Sequence, residues 1–235
     1  LRGARAKRIT LIGPYVWATR PGRARVLAKW VDHLLCIHPF EQPFYVKWGL
    51  PTTVIGNPAL NRLPKGDGAA FRQRHGLPAD APVIGLLPGS RKAEMRRVAP
   101  TLMEATRIVQ ARDPNRKVVC MAAPSVAPEV EALAKAQPFP IVVVRDEAEK
   151  ADAYAAMTVA IACSGTVTTE LAAQGAAVVT GYKLGWITWA LLRFFLFKSR
   201  FSALVNVAVN REVIPEFLQT SFSVNNIALV GGRPM

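Results

Sequence analysis

Met157-Thr158-Val159-Ala160-Ile161-Ala162-Cys163-Ser164-Gly165-Thr166-Val167-Thr168-Thr169-Glu170 is the stretch on which the fold turns. From Met157 to Cys163 it is apolar apart from Thr158, as a strand buried on both faces requires. The run breaks at Ser164-Gly165-Thr166 and passes into a helix-forming segment, Leu171-Ala172-Ala173-Gln174. A strand that ends this way and becomes a helix presents unpaired backbone N–H groups to an anion. Glu170, one turn into the helix, carries a carboxylate that can accept two hydrogen bonds from a vicinal diol such as ribose. Phosphate and diol recognition on one turn points to a nucleotide-diphosphate ligand.

The same alternation extends outward on both sides. Val83-Ile84-Gly85-Leu86-Leu87 reads as a buried strand and Pro88-Gly89-Ser90-Arg91 as a loop. Val98 to Ala111 has helical periodicity, with Leu102, Ala105, Ile108 and Val109 on one face. Strands follow over Lys117–Ala122, Ile141–Val144 and Ala176–Val179, and helices over Ala127–Ala136, Ala151–Met157 and Thr166–Gln174. Short apolar strands between amphipathic helices predict an α/β fold with a parallel sheet covered on both faces. Ligands of such sheets bind beyond the carboxyl ends of the strands. Gly89-Ser90-Arg91 and Ser164-Gly165-Thr166 both lie at such ends and can converge on one crevice.

Residues 1–62 read as a separate piece: a strand over Arg8–Gly13, a basic helix over Arg20–His33, and strands over Leu34–Ile37 and Thr53–Gly56. Leu63-Pro64-Lys65-Gly66-Asp67-Gly68 reads as a linker. The expected division is therefore 1–62, the tail of a truncated N-terminal domain, and 63–235, a C-terminal domain. Both ends read as cut, because the chain begins with Leu1 and stops at Met235 soon after a helix starts.

At 235 residues and 51% hydrophobic, the chain can build one large or two small cores. Its 30 Lys and Arg against 16 Asp and Glu give a net charge of +14, which calls for an anionic partner. The absence of an arginine-rich tail or a zinc-finger, RNP or KH motif disfavours nucleic acid. Cys36, Cys120 and Cys163 have no CxxC spacing, and fit buried thiols of a reducing compartment. His33, His38 and His75 form no metal-ligand pattern, so no metal is expected. No secretory signal is visible. Trp186 to Phe197 is the most apolar window, interrupted by Arg193 and shorter than the ~20 residues of a spanning helix. It can lie in a membrane interface, with Lys198 and Arg200 beyond it, or pack on its own domain.

Four separated segments together resemble one family, the lipid-A-disaccharide synthases, which are GT-B glycosyltransferases. Pro14-Tyr15-Val16-Trp17-Ala18-Thr19-Arg20 is similar to the family's S-x-V-W-A-W-R segment. Pro39-Phe40-Glu41, Phe44-Tyr45, Gly49-Leu50-Pro51 and Val54-Ile55-Gly56-Asn57-Pro58 parallel its P-F-E…F-Y…G-(V/H)-P pattern. Leu87-Pro88-Gly89-Ser90-Arg91-Lys92-Ala93-Glu94 resembles LPGSR-x-x-E. Ser164 to Glu170, Gly181-Tyr182-Lys183, Asn206 and Pro215-Glu216-Phe217-Leu218-Gln219 resemble SGT-x-T-x-E, (V/G)-Y-K, L-P-N and PE-x-x-Q. Asn57, Val205 and Thr19 depart from the family's His, Pro and Trp.

The resemblance implies a GT-B fold: a Rossmann-like donor domain and the tail of a truncated Rossmann-like acceptor-side domain. It implies a hexosyltransferase that moves 2,3-diacylglucosamine from UDP to 2,3-diacylglucosamine 1-phosphate with inversion, giving a β-1,6 disaccharide 1-phosphate and UDP. Gly89, Ser90, Arg91, Glu94, Ser164, Gly165, Thr166, Glu170, Asn206, Glu216 and Gln219 fall on family positions and are the expected substrate-binding residues. Arg91 suits the diphosphate, because a planar guanidinium matches phosphate oxygens. The turn at Ser164-Gly165-Thr166 would face the same group, and Glu170 the ribose. The resemblance places the general base in a segment before residue 1, so this stretch alone is expected to be inactive. It implies no cofactor, a peripheral place on the cytoplasmic face of the bacterial inner membrane, and an acidic membrane surface as partner. A homodimer is compatible with it. Two other readings stand beside it: a UDP-sugar epimerase of the same architecture, and a non-catalytic basic fragment that binds membranes. For single residues the plainer alternatives are an ordinary N-cap at Ser164 or Thr166 and a first-turn acid at Glu170.

Overall fold

The computed structural model describes residues 6–191 and 200–233. The chain divides into two compact units. Among the described residues the first holds 6–62, 185–191, 200 and 207–210, and the second holds 63–184, 201–206 and 211–233.

The first unit is built on β1 (Ile9–Leu11), α1 (Arg23–Ala28), β2 (His33–Cys36), α2 (Gln42–Val46), β3 (Thr52–Val54) and α3 (Pro58–Arg62). Its strands form a parallel sheet in the order β1-β2-β3. Val16, Ala24, Leu34, Cys36, Tyr45 and Leu50 make its core. The Tyr45 hydroxyl, buried with them, donates to the Pro14 carbonyl at 2.6 Å. The basic helix expected over Arg20–His33 is much shorter. Arg20 stands outside it with φ 47°, and the turn after Ala28 frees Asp32 and His33 for the sheet. Asp32 there accepts from the Arg8 backbone N–H at 2.8 Å and pairs with its guanidinium at 3.1 Å.

The second unit contains α4 (Gly68–Arg74), β4 (Val83–Leu87), α5 (Lys92–Arg97), α6 (Ala99–Arg112), β5 (Lys117–Met121), α7 (Ala127–Lys135) and β6 (Ile141–Val144). It continues through α8 (Lys150–Ala156), β7 (Val159–Cys163), α9 (Val167–Ala173) and β8 (Ala177–Tyr182). Then α10 (Trp186–Leu191) belongs to the first unit, the division between units falls within α11 (Leu204–Val209), and β9 (Glu216–Leu218) and α12 (Val224–Gly231) complete the second. Its six strands are all parallel, in the order β6-β5-β4-β7-β8-β9. Renumbered from β4, this is the 3-2-1-4-5-6 order of a dinucleotide-binding sheet, whose topological switch point lies between β4 and β7.

The period of two along the strands separates two cores. Ile84, Leu86, Val118, Cys120 and Ile161 face one side, with Leu102, Val109 and Ile227 of α6 and α12. Val83, Leu87, Val119, Ala160 and Ala162 face the other, with Phe71, Tyr154 and Leu171 of α4, α8 and α9. Each large side chain buried here contributes about 1.5–3 kcal/mol.

Two local expectations are revised. The helix read from Val98 runs from Ala99 to Arg112 and is preceded by a separate helix, α5. Leu63–Gly68 is not a loose linker: Gly66 N–H donates to Gln174 Oε1 at 3.0 Å, Gln174 Nε2 to the Pro64 carbonyl at 2.7 Å, and Asp67 N–H to Asp152 Oδ1 at 2.7 Å. Asp67 also caps α4, accepting from Ala70 N–H at 2.9 Å. Of the apolar window Trp186–Phe197, the helix is described to Leu191, and residues 192–197 lie outside the described residues, as does Lys198.

Candidate functional site

A cavity of about 420 Å³ opens at the carboxyl ends of β4, β5, β6 and β7, beside the switch point. Gly89, Ser90, Arg91 and Glu94 line it from the β4 side, and Ser164, Gly165, Thr166 and Glu170 from the β7 side.

The β4 loop is shaped by Glu94. Its Oε2 accepts from Ser90 N–H at 2.7 Å and Arg91 N–H at 3.1 Å, while Arg91 Nη1 donates to Oε1 at 3.0 Å. Gly89 adopts φ 118°, and a Cβ there would lie 2.6 Å from Glu94 Cβ. The LPGSR-x-x-E spacing is thus a folding requirement: the glycine lets the loop turn back on the carboxylate that fastens it. Arg91 projects from this loop with its side chain 77% exposed, whereas Glu94 is 7% exposed. The Tyr182 hydroxyl approaches Glu94 Oε1 at 3.5 Å, and burial, followed by the Glu94 charge, raises its pKa. Burial also pushes the Cys163 thiol well up, with Glu94 adding to it. Cys163 therefore lines the cavity as a neutral thiol, not as a nucleophile.

At β7 the Ser164 N–H is taken by the Gly181 carbonyl at 3.0 Å, which continues the ladder to β8. Ser164 therefore lends no backbone donor to the cavity, contrary to the expectation. Among the described residues the N–H groups of Gly165 and Thr166 meet no acceptor. Thr166 is the N-cap of α9 without a side-chain cap bond, so its hydroxyl is not spent on the helix. Thr168 Oγ1 instead donates to the Gly165 carbonyl at 2.8 Å and pins the turn from behind.

Glu170 is 15% exposed, and its Oε2 lies 2.9 Å from Lys150 Nζ. The pair is close, although its angle falls short of a directed hydrogen bond at Oε2. Lys150 also donates to Glu147 Oε1 at 2.8 Å. Burial draws the Lys150 ammonium down, but the neighbouring Glu147 and Glu170 carboxylates outweigh it and its pKa is raised. Lys150, Tyr154, Ala122–Pro124 and Val144–Glu147 complete the wall and were not anticipated. The signal was present: β5 and β6 end at the same sheet edge as β4 and β7, so their following loops belong to the site by the same rule.

Three expected residues lie elsewhere. Asn206 is fully buried in α11, accepting from Val213 and Ile214 N–H at 2.8 and 2.9 Å and donating to the Ile214 carbonyl at 2.7 Å. Glu216 accepts from the N–H groups of Ser202 and Ala203 at 3.0 and 2.6 Å, and burial raises its pKa against the pull of those donors. Gln219, at φ 51°, grips Leu184, accepting from its N–H at 2.6 Å and donating to its carbonyl at 3.3 Å. None of the three lines the cavity; each holds backbone in place. Among the described residues no group of three His, Cys, Asp or Glu is placed to hold a metal ion, and no helix is long and apolar enough to cross a membrane.

The geometry can be set beside known proteins. A glycosyltransferase from Rickettsia africae superposes with a TM-score of 0.57 over 97% of this chain and 60% of its own, at 12% identity. WaaG, a glycosyltransferase involved in lipopolysaccharide biosynthesis, superposes at 0.54 over 85% and 52%, also at 12% identity. A putative UDP-N-acetylglucosamine 2-epimerase from Listeria monocytogenes reaches 0.50 over 66% of this chain and 44% of its own, at 16% identity. These likenesses establish the shared GT-B-type fold and leave the chemistry open, since transferases and an epimerase share it. Sequence relatives are more specific. Lipid-A-disaccharide synthase of Rhodospirillum centenum is 40% identical over 98% of this chain and 58% of its own length. The enzyme of Myxococcus xanthus is 35% identical over 92% and 56%. The chain thus spans little more than half the length of the curated relatives it matches. With the lipid-A-disaccharide synthetase family model matching residues 1–231, the chain belongs to that family.

Proposed function

We propose that the second unit binds the UDP portion of a UDP-diacylglucosamine donor and that the whole protein transfers the sugar to diacylglucosamine 1-phosphate. The single observation that carries this reading is the meeting of the Gly89–Arg91 loop and the Gly165–Glu170 turn on one cavity at the switch point. In this reading the free N–H groups of Gly165 and Thr166 take the diphosphate, and Arg91 closes over it from the mouth. Their positive character stabilises the diphosphate as it leaves. Glu170 receives the ribose hydroxyls. Glu94, Asn206, Glu216 and Gln219 act by holding loops rather than by touching the ligand.

Inversion at the anomeric carbon also needs a base for the acceptor 6-hydroxyl. No residue of this chain is assigned that role. The first unit is proposed as the acceptor-side portion, with 63–235 as the donor domain apart from the segments that return to the first unit. Association with the cytoplasmic face of an acidic inner membrane rests on the +14 charge and the acyl substrates. A homodimer remains compatible with the reading.

Calorimetric titration of the chain with UDP, with ADP as control, tests the proposal. Saturable UDP binding with much weaker ADP binding is expected. A folded chain that binds neither would remove the donor-site reading.

A further inference from the structure

We infer that Lys150 is a positioning residue, whose ammonium, set between Glu147 and Glu170 at the cavity wall, keeps the Glu170 carboxylate aimed for a ribose diol. The inference rests on the donor-site reading above and adds to it a residue that the sequence motifs do not contain.

Three observations carry it. Lys150 Nζ stands 2.8 Å from Glu147 Oε1 and 2.9 Å from Glu170 Oε2, so one cation bridges two carboxylates. Glu147 is 82% exposed, but Lys150 and Glu170 are only 21% and 15% exposed, so the inner pair is the one sheltered from water. A sheltered pair holds its geometry, because little water competes for either charge. Finally, Lys150 is the first residue of α8. A cation at a helix N-terminus opposes the helix dipole, so its place there is not explained by the stability of α8.

The charged neighbours fit the assignment. Lys150 reaches the Glu170 carboxylate from α8, its ammonium 5.9 Å from the Tyr154 ring centroid, and Glu147 flanks it from the preceding turn. Arg91, Glu94, Arg145 and Asp146 line the same cavity from the loops after β4 and β6. Among the described residues, Lys150 is the cation that an ion pair joins to Glu170. With Oε2 paired, Oε1 is left to accept from the diol. A carboxylate free to turn away would lose the directed bond to the diol, and bonds to a charged group are the strong ones.

The test compares UDP with 2′-deoxy-UDP, because the ratio of their dissociation constants reads the contact to the 2′-hydroxyl and cancels any effect on the diphosphate. The wild-type chain should prefer UDP by about tenfold. K150M should lose most of that preference, and K150R should keep it. Thermal melts check folding, and K150Q serves as the second variant if K150M does not fold, with the same loss expected. A K150M or K150Q chain that keeps the wild-type ratio overturns the inference, even if both ligands bind more weakly, since Lys150 then acts on another part of the nucleotide. A wild-type ratio near one instead removes the diol role of Glu170, and this inference with it. Failure of the folded wild-type chain to bind UDP removes the donor-site reading itself.

Discussion

Two glycines of the site differ in what they do. Gly89 is required by the fold, with φ 118° and Glu94 against its missing side chain. Gly165 is not: no atom lies within 4 Å of where its Cβ would stand, and its φ is not in the left-handed region. Gly165 lines the cavity with open space where its side chain would stand. Gly89→Ala should cost roughly 1–3 kcal/mol of stability by chemical denaturation. Gly165→Ala should leave the melting temperature nearly unchanged yet weaken UDP at least several-fold in calorimetry, as a methyl group obstructs the approach to the N–H groups. Glu170→Ala should weaken UDP by about 1–3 kcal/mol. Arg91→Ala should hurt UDP far more than uridine; equal losses for both ligands would remove Arg91 from the diphosphate.

Short elements here depend on single polar side chains. Asn206 satisfies two N–H groups and one carbonyl of the segment before β9 from a fully buried position. Asn206→Ala strands those groups and should cost about 2–4 kcal/mol, measured by urea unfolding, while leaving UDP affinity intact in the folded fraction. In the first unit, β1 is fastened to the turn before β2 by Arg8 and Asp32. Hydrogen bonds from the Arg8 side chain and backbone hold the Asp32 carboxyl down at about 2 from its ordinary 3.8. A depressed acid contributes stability that is present above the unfolded value and lost as pH falls through the folded one. The melting-temperature gap between wild type and Asp32→Asn should accordingly narrow from about pH 4 and close near pH 2. A gap independent of pH would show that the ion pair is not its source.

Across the whole chain, the passage at residues 63–67 is tied to the two helices that carry the Lys150–Glu170 pair. Asp152 of α8 and Gln174, the C-cap of α9, hold its backbone. Gln174→Ala removes two of these bonds, and trypsin should then cut after the exposed Lys65 several times faster than in wild type. Ligand binding should act on the same scale. UDP at about a hundredfold excess over its dissociation constant should add about 2.7 kcal/mol to the stability of the second unit, read as a raised melting temperature.

What was legible in the residues was whatever depends on local pattern. Strands such as Val83–Leu87 and Val159–Cys163 announce themselves because burial on both faces leaves only apolar residues. The two loops that line the cavity were legible as breaks where a buried strand passes through a glycine-containing turn into a helix. The alternation of strands and helices in turn implied the sheet, and the combination of motifs pointed to the family. Four things were decided only by packing. The basic helix stops at Ala28 because His33 is drawn into the sheet and Asp32 into the turn that Arg8 holds, a pull that no local signal records. Glu94, Asn206, Glu216 and Gln219 fall on family motifs but turn to backbone groups, since a polar side chain's partner is set by where the chain folds back. Lys150 lies far in sequence from the motif it supports and joins it only because α8 and α9 begin at the same edge of the sheet. Strand order, too, is a tertiary matter: the switch point that opens the cavity exists because β7 pairs with β4 rather than with β6.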